Sequence, residues 1–393
     1  MKFNEDTHSE NLVPEKAGQA FDSLMERMNN HPFWRCRLLF AISAKHLTFN
    51  DYQVLFSEYF HYSKNFTRYL SGLLINLEND LLRSKLTENL WEEGGGAKPE
   101  ERHAELFRNF LKNGLELDLT SLTPTTGTKD FVNSYLNFCK YESALESSAF
   151  LAIGTEAIVA RLYGVLSSGL SSVGIKDEDL HFFHLHMECD DEHAETLCDI
   201  MNDFKQSPSW FDRSWDAINH ALNLRLEFFD HLYDVIQKNR LDDIVLKIQE
   251  RKSLANAEMG KDYFYNPVAS DQDSIYRNTN EKHNIDFSVN RSPFPAEVID
   301  ARVVRIPAGK CNERHKHAHE SIFYVIQGKA SVQVDKSIQN IEAGEMAFVP
   351  RWCIHQTTNV GEDELVMLAI TDFYLTGKVF IGNYNSTARM KKD

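Results

Sequence analysis

The period of the apolar residues changes once along this chain, and no single architecture accommodates both halves. From about residue 17 to 238 apolar side chains recur at spacings of three and four, the signature of amphipathic helices. Helices are expected over 50–74, 79–92, 101–113, 140–168, 177–203 and 208–238, among about eight in all, and long helices with short joints make a bundle. After about 285 the pattern becomes short β-rich runs: 301–306, 322–326, 330–334, 346–349 and 365–370, with turn residues between them. That pattern predicts an antiparallel sandwich or small barrel. The expected organisation is multidomain α + β: a flexible tail at 1–16, a helical domain at 17–240, a polar linker at 241–284 and a β domain at 285–393.

Charge narrows the partners. Lys and Arg number 42 against 58 Asp and Glu, for a net charge of −16. Phosphate neutralisation needs a basic face, so no nucleic-acid partner is expected. No run of 18 apolar residues is present, so no membrane partner is expected either. Cys36, Cys139, Cys189, Cys198, Cys311 and Cys353 are scattered without CxxC spacing. This fits reduced thiols and a cytoplasmic location.

The histidines cluster. In His186-Met-Glu-Cys-Asp190-Asp-Glu-His193 the two His and the Asp lie at i, i+4 and i+7. They span about 60° of a helix circumference. Phe182, Phe183 and Leu197 continue the same stripe, so ligand-type groups share a face that otherwise reads as core. Burying them without partners is costly, and either a metal ion or a structural hydrogen-bond network relieves that cost. Glu156 is the one carboxylate beyond the helix start in the stripe Glu142, Leu145, Ala149, Ala152, Glu156, Ala160, Tyr163. A third piece is Glu93, which a glycine turn can fold back beside His103; Glu92 is its alternative, since adjacent helical residues cannot both face inward. Three carboxylates and three imidazoles form the kind of set that holds two irons in a helical bundle.

These motifs resemble the haem-oxygenase-like diiron oxidases and oxygenases over about residues 20–238. The resemblance implies an all-α haem-oxygenase-like bundle with two Fe(II) ions held by Glu93, His103, Glu156, His186, Asp190 and His193. It also implies O2 as co-substrate and a catalytic, bridging role for Glu156. Glu58 and His61, on an earlier helix, fall where relatives line the pocket or add a ligand.

In the β half, His315 and His317 are two apart and project together from a strand, and His355 on a later strand can complete a trio. The segments 309–328 and 344–359 resemble the two motifs of the cupin family. The match over about 285–385 implies a cupin β-barrel (double-stranded β-helix). Trp352 replaces the usual glycine of the second motif. Ser321 stands in the usual carboxylate-ligand slot, so a three-His site for one Fe(II) is expected.

A haem-oxygenase-like domain fused to a cupin is similar to the arrangement of nitrosourea synthases. That resemblance implies N-oxygenation of an amine or guanidine nitrogen on a small amino-acid-like substrate, then an oxidative rearrangement or cleavage at the cupin iron, in specialised metabolism. No flavin or nicotinamide fingerprint is visible, so an external electron donor is expected; a homodimer is expected from the two families. The alternative is desaturation or oxidative decarboxylation by the helical domain, with the cupin as a binding or dimerisation module.

Overall fold

A computed structural model describes residues 14–250, 264–268, 274–294, 296, 298–379 and 388–390, with the side chains of 14–19, 188–193, 247–250, 378–379 and 388–390 outside that description. The chain divides into two compact units between Ile236 and Gln237.

The first unit is helical: α1 (Pro14–Asn30), α2 (Arg37–Ser43), α3 (Phe49–Ser63), α4 (Phe66–Asn76), α5 (Asp80–Glu93), α6 (His103–Asn109), α7 (Thr126–Tyr141), α8 (Ala144–Leu151), α9 (Val159–Ser172), α10 (His181–Asp203) and the start of α11 (Trp210–Glu250). Two π turns interrupt it, Phe110–Gly114 and Ala152–Glu156. Tyr52, Phe56, Phe107, Phe182 and Phe183 are wholly buried at its centre. α10 packs against α5, α6, α8, α9 and the second π turn. The stretch Ala144–Ser172 is long and apolar enough to cross a membrane by composition alone, yet 72% of its most apolar window is buried inside the unit.

Several boundaries differ from the expectation. The helix expected over 50–74 breaks at Lys64 and Asn65 into α3 and α4, and the Asn65 amide donates to the carbonyl of His61 at 2.6 Å. The helix expected from 140 starts at Ala144, so Glu142 ends α7 instead of opening the Glu156 stripe. The π turn then inserts an extra residue ahead of α9. The stretch expected as a linker from 241 is helical to Glu250.

The second unit carries two antiparallel sheets. Its strands are β1 (Tyr276–Asn280), β2 (Ile285–Arg291), β3 (Asp300–Ile306), β4 (His315–His317), β5 (Ser321–Gln327), β6 (Lys329–Val334), β7 (Ser337–Glu342), β8 (Met346–Val349), β9 (His355–Asn359), β10 (Leu365–Thr371) and β11 (Ala388–Met390), with a short α12 (Phe373–Val379). The sheet orders are β1-β2-β3-β10-β5-β8 and β11-β4-β9-β6-β7. β1 lies inside the stretch expected as a linker and pairs with β2. Alternating residues of both sheets meet in one core, with Ile306, Val325, Leu365 and Met367 facing Ala330, Val332 and Ile341.

Candidate metal centres

In the helical unit the site forms where α5, α6 and α10 meet. Asn79 starts α5 by accepting from the amides of Leu81 and Leu82. The helix stops at Gly94, and Gly95 follows at φ +86°, where an added Cβ would lie 2.5 Å from the Lys98 carbonyl. Only glycine makes that reversal. It returns the chain so that His103, at the start of α6, meets Glu93, at the end of α5: His103 Nδ1 is 2.9 Å from Glu93 Oε2. Glu93 is buried and Glu92 exposed, which resolves the choice between them.

His186 enters from α10, its Nε2 3.0 Å from His103 Nδ1. The three donor atoms of Glu93, His103 and His186 all lie within 4.8 Å of one another. Neighbouring ligands of an octahedral ion with bonds of about 2.1 Å are about 3.0 Å apart, so the two measured separations suit one ion. Partners outside the cluster aim the imidazoles. Nδ1 of His186 lies 2.7 Å from the Phe182 carbonyl, one helical turn back, so it donates there and leaves Nε2 as the acceptor. The Ser63 hydroxyl, 2.9 Å from His103 Nε2, holds the other ring. Phe66 and Phe182 pack on His103, and Phe182 and Tyr163 on His186. A carboxylate and two imidazoles converging in this way can hold a cation, and iron(II) accepts this mixed O,N set.

Glu156 is buried at the end of the second π turn, which packs against α10. It stands outside the 4.8 Å cluster. Asp190 and His193 fall on α10 but lie outside the described residues. Glu58 takes a structural role. Its carboxylate accepts from the Thr125 amide at 3.1 Å, the Thr125 hydroxyl at 2.9 Å and the Thr128 hydroxyl. It therefore caps the start of α7, chiefly through Oε2, while Oε1 takes only the longer contact of the Thr125 amide at 3.3 Å. His61 is buried beside Glu58 and Lys129, and burial pushes its pKa down to about 4. Ser63 was missed in the sequence; a buried serine two residues after a buried histidine gives no distinctive signal.

The cupin-type site is more regular. β4 and β9 pair with His315 directly opposite His355, and strand alternation sends His317 to the same side. The ring centroids of His315, His317 and His355 lie 4.4 to 5.3 Å apart. Each Nδ1 meets a backbone carbonyl: His315 to Glu313 at 3.0 Å, His317 to His319 at 2.8 Å and His355 to Cys353 at 3.0 Å. These bonds leave every Nε2 as an acceptor facing the others, and the three ligating atoms cluster within 4.8 Å. Nε2 of His355 is buried with no hydrogen-bond partner. Burial, reinforced by the neighbouring imidazoles, pushes the pKa of His317 down to about 2 and that of His355 to about 3. Neutral rings with free lone pairs are the state a divalent ion requires.

Ser321 opens β5 on the inward side, and its buried hydroxyl has no partner, so the carboxylate slot holds no charge. His319 is buried and stacks on His317 at 3.5 Å outside the trio, while Glu320 is exposed. Trp352, in place of glycine, takes the left-handed φ of +58° and donates its amide to the His317 carbonyl at 2.7 Å. The turn is kept at the cost of backbone strain beside the site.

Comparison with known proteins gives the same division. A model described as an iron-containing redox enzyme of the haem-oxygenase-like kind matches residues 53–226, and a cupin-domain model matches 302–371. The 4-chloro-allylglycine synthase of Streptantibioticus cattleyicolor is 18% identical over 220 residues, covering 56% of this chain and 84% of that protein. Among solved structures, the cupin domain of Cnp3 from Schizosaccharomyces pombe is 22% identical, with 22% of this chain and 64% of that chain covered and a TM-score of 0.21. A cupin 2 conserved barrel domain protein from Rhodopseudomonas palustris is 24% identical, with 25% and 68% covered and a TM-score of 0.23. Residues 53–226 are thus similar to iron-containing redox enzymes and residues 302–371 to cupin domains, a pairing that supports an iron-dependent oxidoreductase.

Proposed function

We propose that the chain is an O2-dependent oxygenase acting on an amino-acid-like substrate, with two irons in the helical domain and one in the cupin. The helical domain adds an oxygen atom to an amine or guanidine nitrogen, and the cupin rearranges or cleaves that product oxidatively. The observation that carries the reading is the presence in one chain of two separate donor clusters, Glu93–His103–His186 and His315–His317–His355.

Iron, when bound, supplies the electron-transfer steps that O2 chemistry requires. The chain's own groups hold and exclude. Glu93, His103 and His186 present fixed donors, and Glu156, Asp190 and His193 complete the proposed set. Phe66, Phe182 and Tyr163 pack against the imidazoles and give them apolar walls. In the cupin the hydroxyl of Ser321 replaces a carboxylate, leaving a neutral three-nitrogen face. Inserting one oxygen atom from O2 while the other leaves as water consumes two electrons and two protons, so an external electron donor is part of the proposal.

A second reading rests on the relative from S. cattleyicolor, whose name specifies an amino acid with a carbon–carbon double bond. Under it the helical domain oxidises C–H or C–C bonds, and the cupin binds or dimerises only. Anaerobic Fe(II) loading should give about three irons per chain. Exposure to 18O2 with a reductant and a panel of amino acids, followed by mass spectrometry, should yield an N-hydroxylated product carrying the label. An alkene or a shortened carbon chain would favour the second reading. No iron in the helical domain would end both. His317→Ala should accumulate the N-hydroxylated intermediate; an unchanged product would make the cupin non-catalytic.

A further inference from the structure

The helical domain holds a buried charge without a counter-charge. Arg225, on α11 among the buried Ala221, Leu222, Phe228 and Phe229, is 1% exposed. A guanidinium cannot shed its proton, so it is a fixed cation. Its Nη2 donates to the hydroxyls of Tyr62 at 2.8 Å and Tyr135 at 2.9 Å. The rings of those tyrosines flank it at 5.0 and 5.6 Å. No carboxylate pairs with it among the described residues, and its Nε is buried with no hydrogen-bond partner. The phenols are not hidden anions, because burial drives the Tyr62 pKa far up.

A structural role explains Nη2 and leaves the Nε side unexplained. Nε–H is the open donor of that edge, because both hydrogens of Nη2 go to the tyrosines, and a carboxylate oxygen accepts from it. An unpaired buried ion is strongly destabilising, and an incoming anion repays the cost. The location also matters. Tyr135 reaches Thr155, at 3.3 Å, the residue before Glu156. Tyr59 stands beside both Arg225 and Tyr163, and the Tyr163 ring is 6.1 Å from that of His186. The guanidinium and the candidate ligands therefore belong to one connected set of buried side chains.

We propose that Arg225 anchors the carboxylate of the substrate in the helical domain. This rests on the reading of that domain as the oxidising site, and it adds the recognition element. The carboxylate can come from an amino acid or a fatty acid, and the test separates the two.

Full-length protein, metal-free and loaded anaerobically with Fe(II), is titrated by thermal shift and equilibrium dialysis. The probes are the protein L-amino acids, straight-chain fatty acids of medium length, and cadaverine and agmatine, which keep the side-chain nitrogens of lysine and arginine without the carboxylate. At least one acid should bind the wild type and raise its Tm, and the matching amines should not. Arg225→Met should weaken that binding by about 100-fold, while its ligand-free Tm equals or exceeds that of the wild type, since an unpaired ion gives way to an apolar chain. Should Arg225→Met not fold, Arg225→Lys keeps the charge, loses the Nε donor, and should bind at least tenfold more weakly. Unchanged affinity in the folded variant, amines binding as well as acids, or no acid binding the wild type would overturn the proposal. Metal counting separates the two readings. Acid binding that depends on Arg225 in a protein taking no iron into the helical domain would leave the anchor standing and the oxygenase reading refuted.

Discussion

Acid should unfold the cupin domain of the metal-free chain before it unfolds the helical domain. The perturbation is a step from pH 7 to pH 5. Burial pushes His317 to a pKa of about 2, and His319 and His355 to about 3. In the unfolded chain an imidazole titrates near 6.5. Between these values the unfolded state binds the extra protons, so stability is present above about pH 6.5 and is lost as pH falls toward 3. At pH 5 the unfolded imidazole is almost fully protonated and the folded one is not. The linkage amounts to about 2 kcal/mol per ring relative to pH 7. That figure is insensitive to whether a folded pKa is 2 or 3, because both lie well below pH 5. Three rings approach the whole stability of a typical domain, about 5–15 kcal/mol. Hydrogen exchange read by mass spectrometry on the full chain, with rates corrected for pH, resolves each domain separately. Peptides from β4 and β9 should lose protection steeply between pH 7 and 5, and His355→Asn should make that slope shallower. Zn(II) or Fe(II) should raise protection more at pH 7 than at pH 5, because protons and metal compete for the same nitrogens. Equal protection of β4 and β9 at the two pH values would refute the claim that these rings are held neutral.

Three further outcomes test individual residues. Ser63→Ala should cost about 1 kcal/mol of stability and weaken Fe(II) binding to the helical domain by about 10- to 100-fold, measured by metal titration; intact affinity would mean Ser63 does not orient His103. Glu58→Gln should lower urea stability by about 1–2 kcal/mol through the cap of α7 while the iron count stays the same, and loss of an iron would return Glu58 to the ligand set. Gly169→Ala should destabilise the helical domain by about 1–3 kcal/mol, because its Cβ would overlap the Tyr52 hydroxyl and lie 2.6 Å from Ile42 Cγ2; an unchanged Tm would show that α9 yields there.

The cupin trio was legible because strand geometry is local. His315 and His317 are two apart, so alternation alone aligns them, and His355 needs only a neighbouring strand. The pairing of Glu93 with His103 was legible for a similar reason, since a run of glycines between two helices permits one tight reversal. Residues whose partners come from far along the chain were not. Glu58 reads as a carboxylate on an amphipathic edge until α7, 67 residues on, brings the Thr125 amide against it. Ser63 has no meaning until α6 delivers His103. The π turn before α9 was invisible as well, because the helical period on either side of it is unbroken in composition. It shifts the phase of the stripe by one residue, and Glu156 sits at its end.

The two domains solve one chemical problem by different means. An imidazole that is to bind a metal must be neutral and must present the nitrogen away from its other hydrogen bond. In the cupin each Nδ1 is tied to a carbonyl two residues away in sequence, so the backbone of the strand ends sets all three tautomers. His186 uses the helical equivalent, the carbonyl of Phe182 four residues back. His103 departs from the rule. It stands at the first position of α6, where the carbonyl four residues back, that of Pro99, is taken by Arg102 Nε, and a serine from α3 takes over the role at Nε2. The ring is thereby reversed, with Nδ1 toward Glu93 and His186. A serine hydroxyl accepts or donates, whereas a carbonyl only accepts. His103 is therefore the one imidazole among these five whose tautomer the backbone does not dictate, and the orientation of its proton follows the charge placed between it and Glu93.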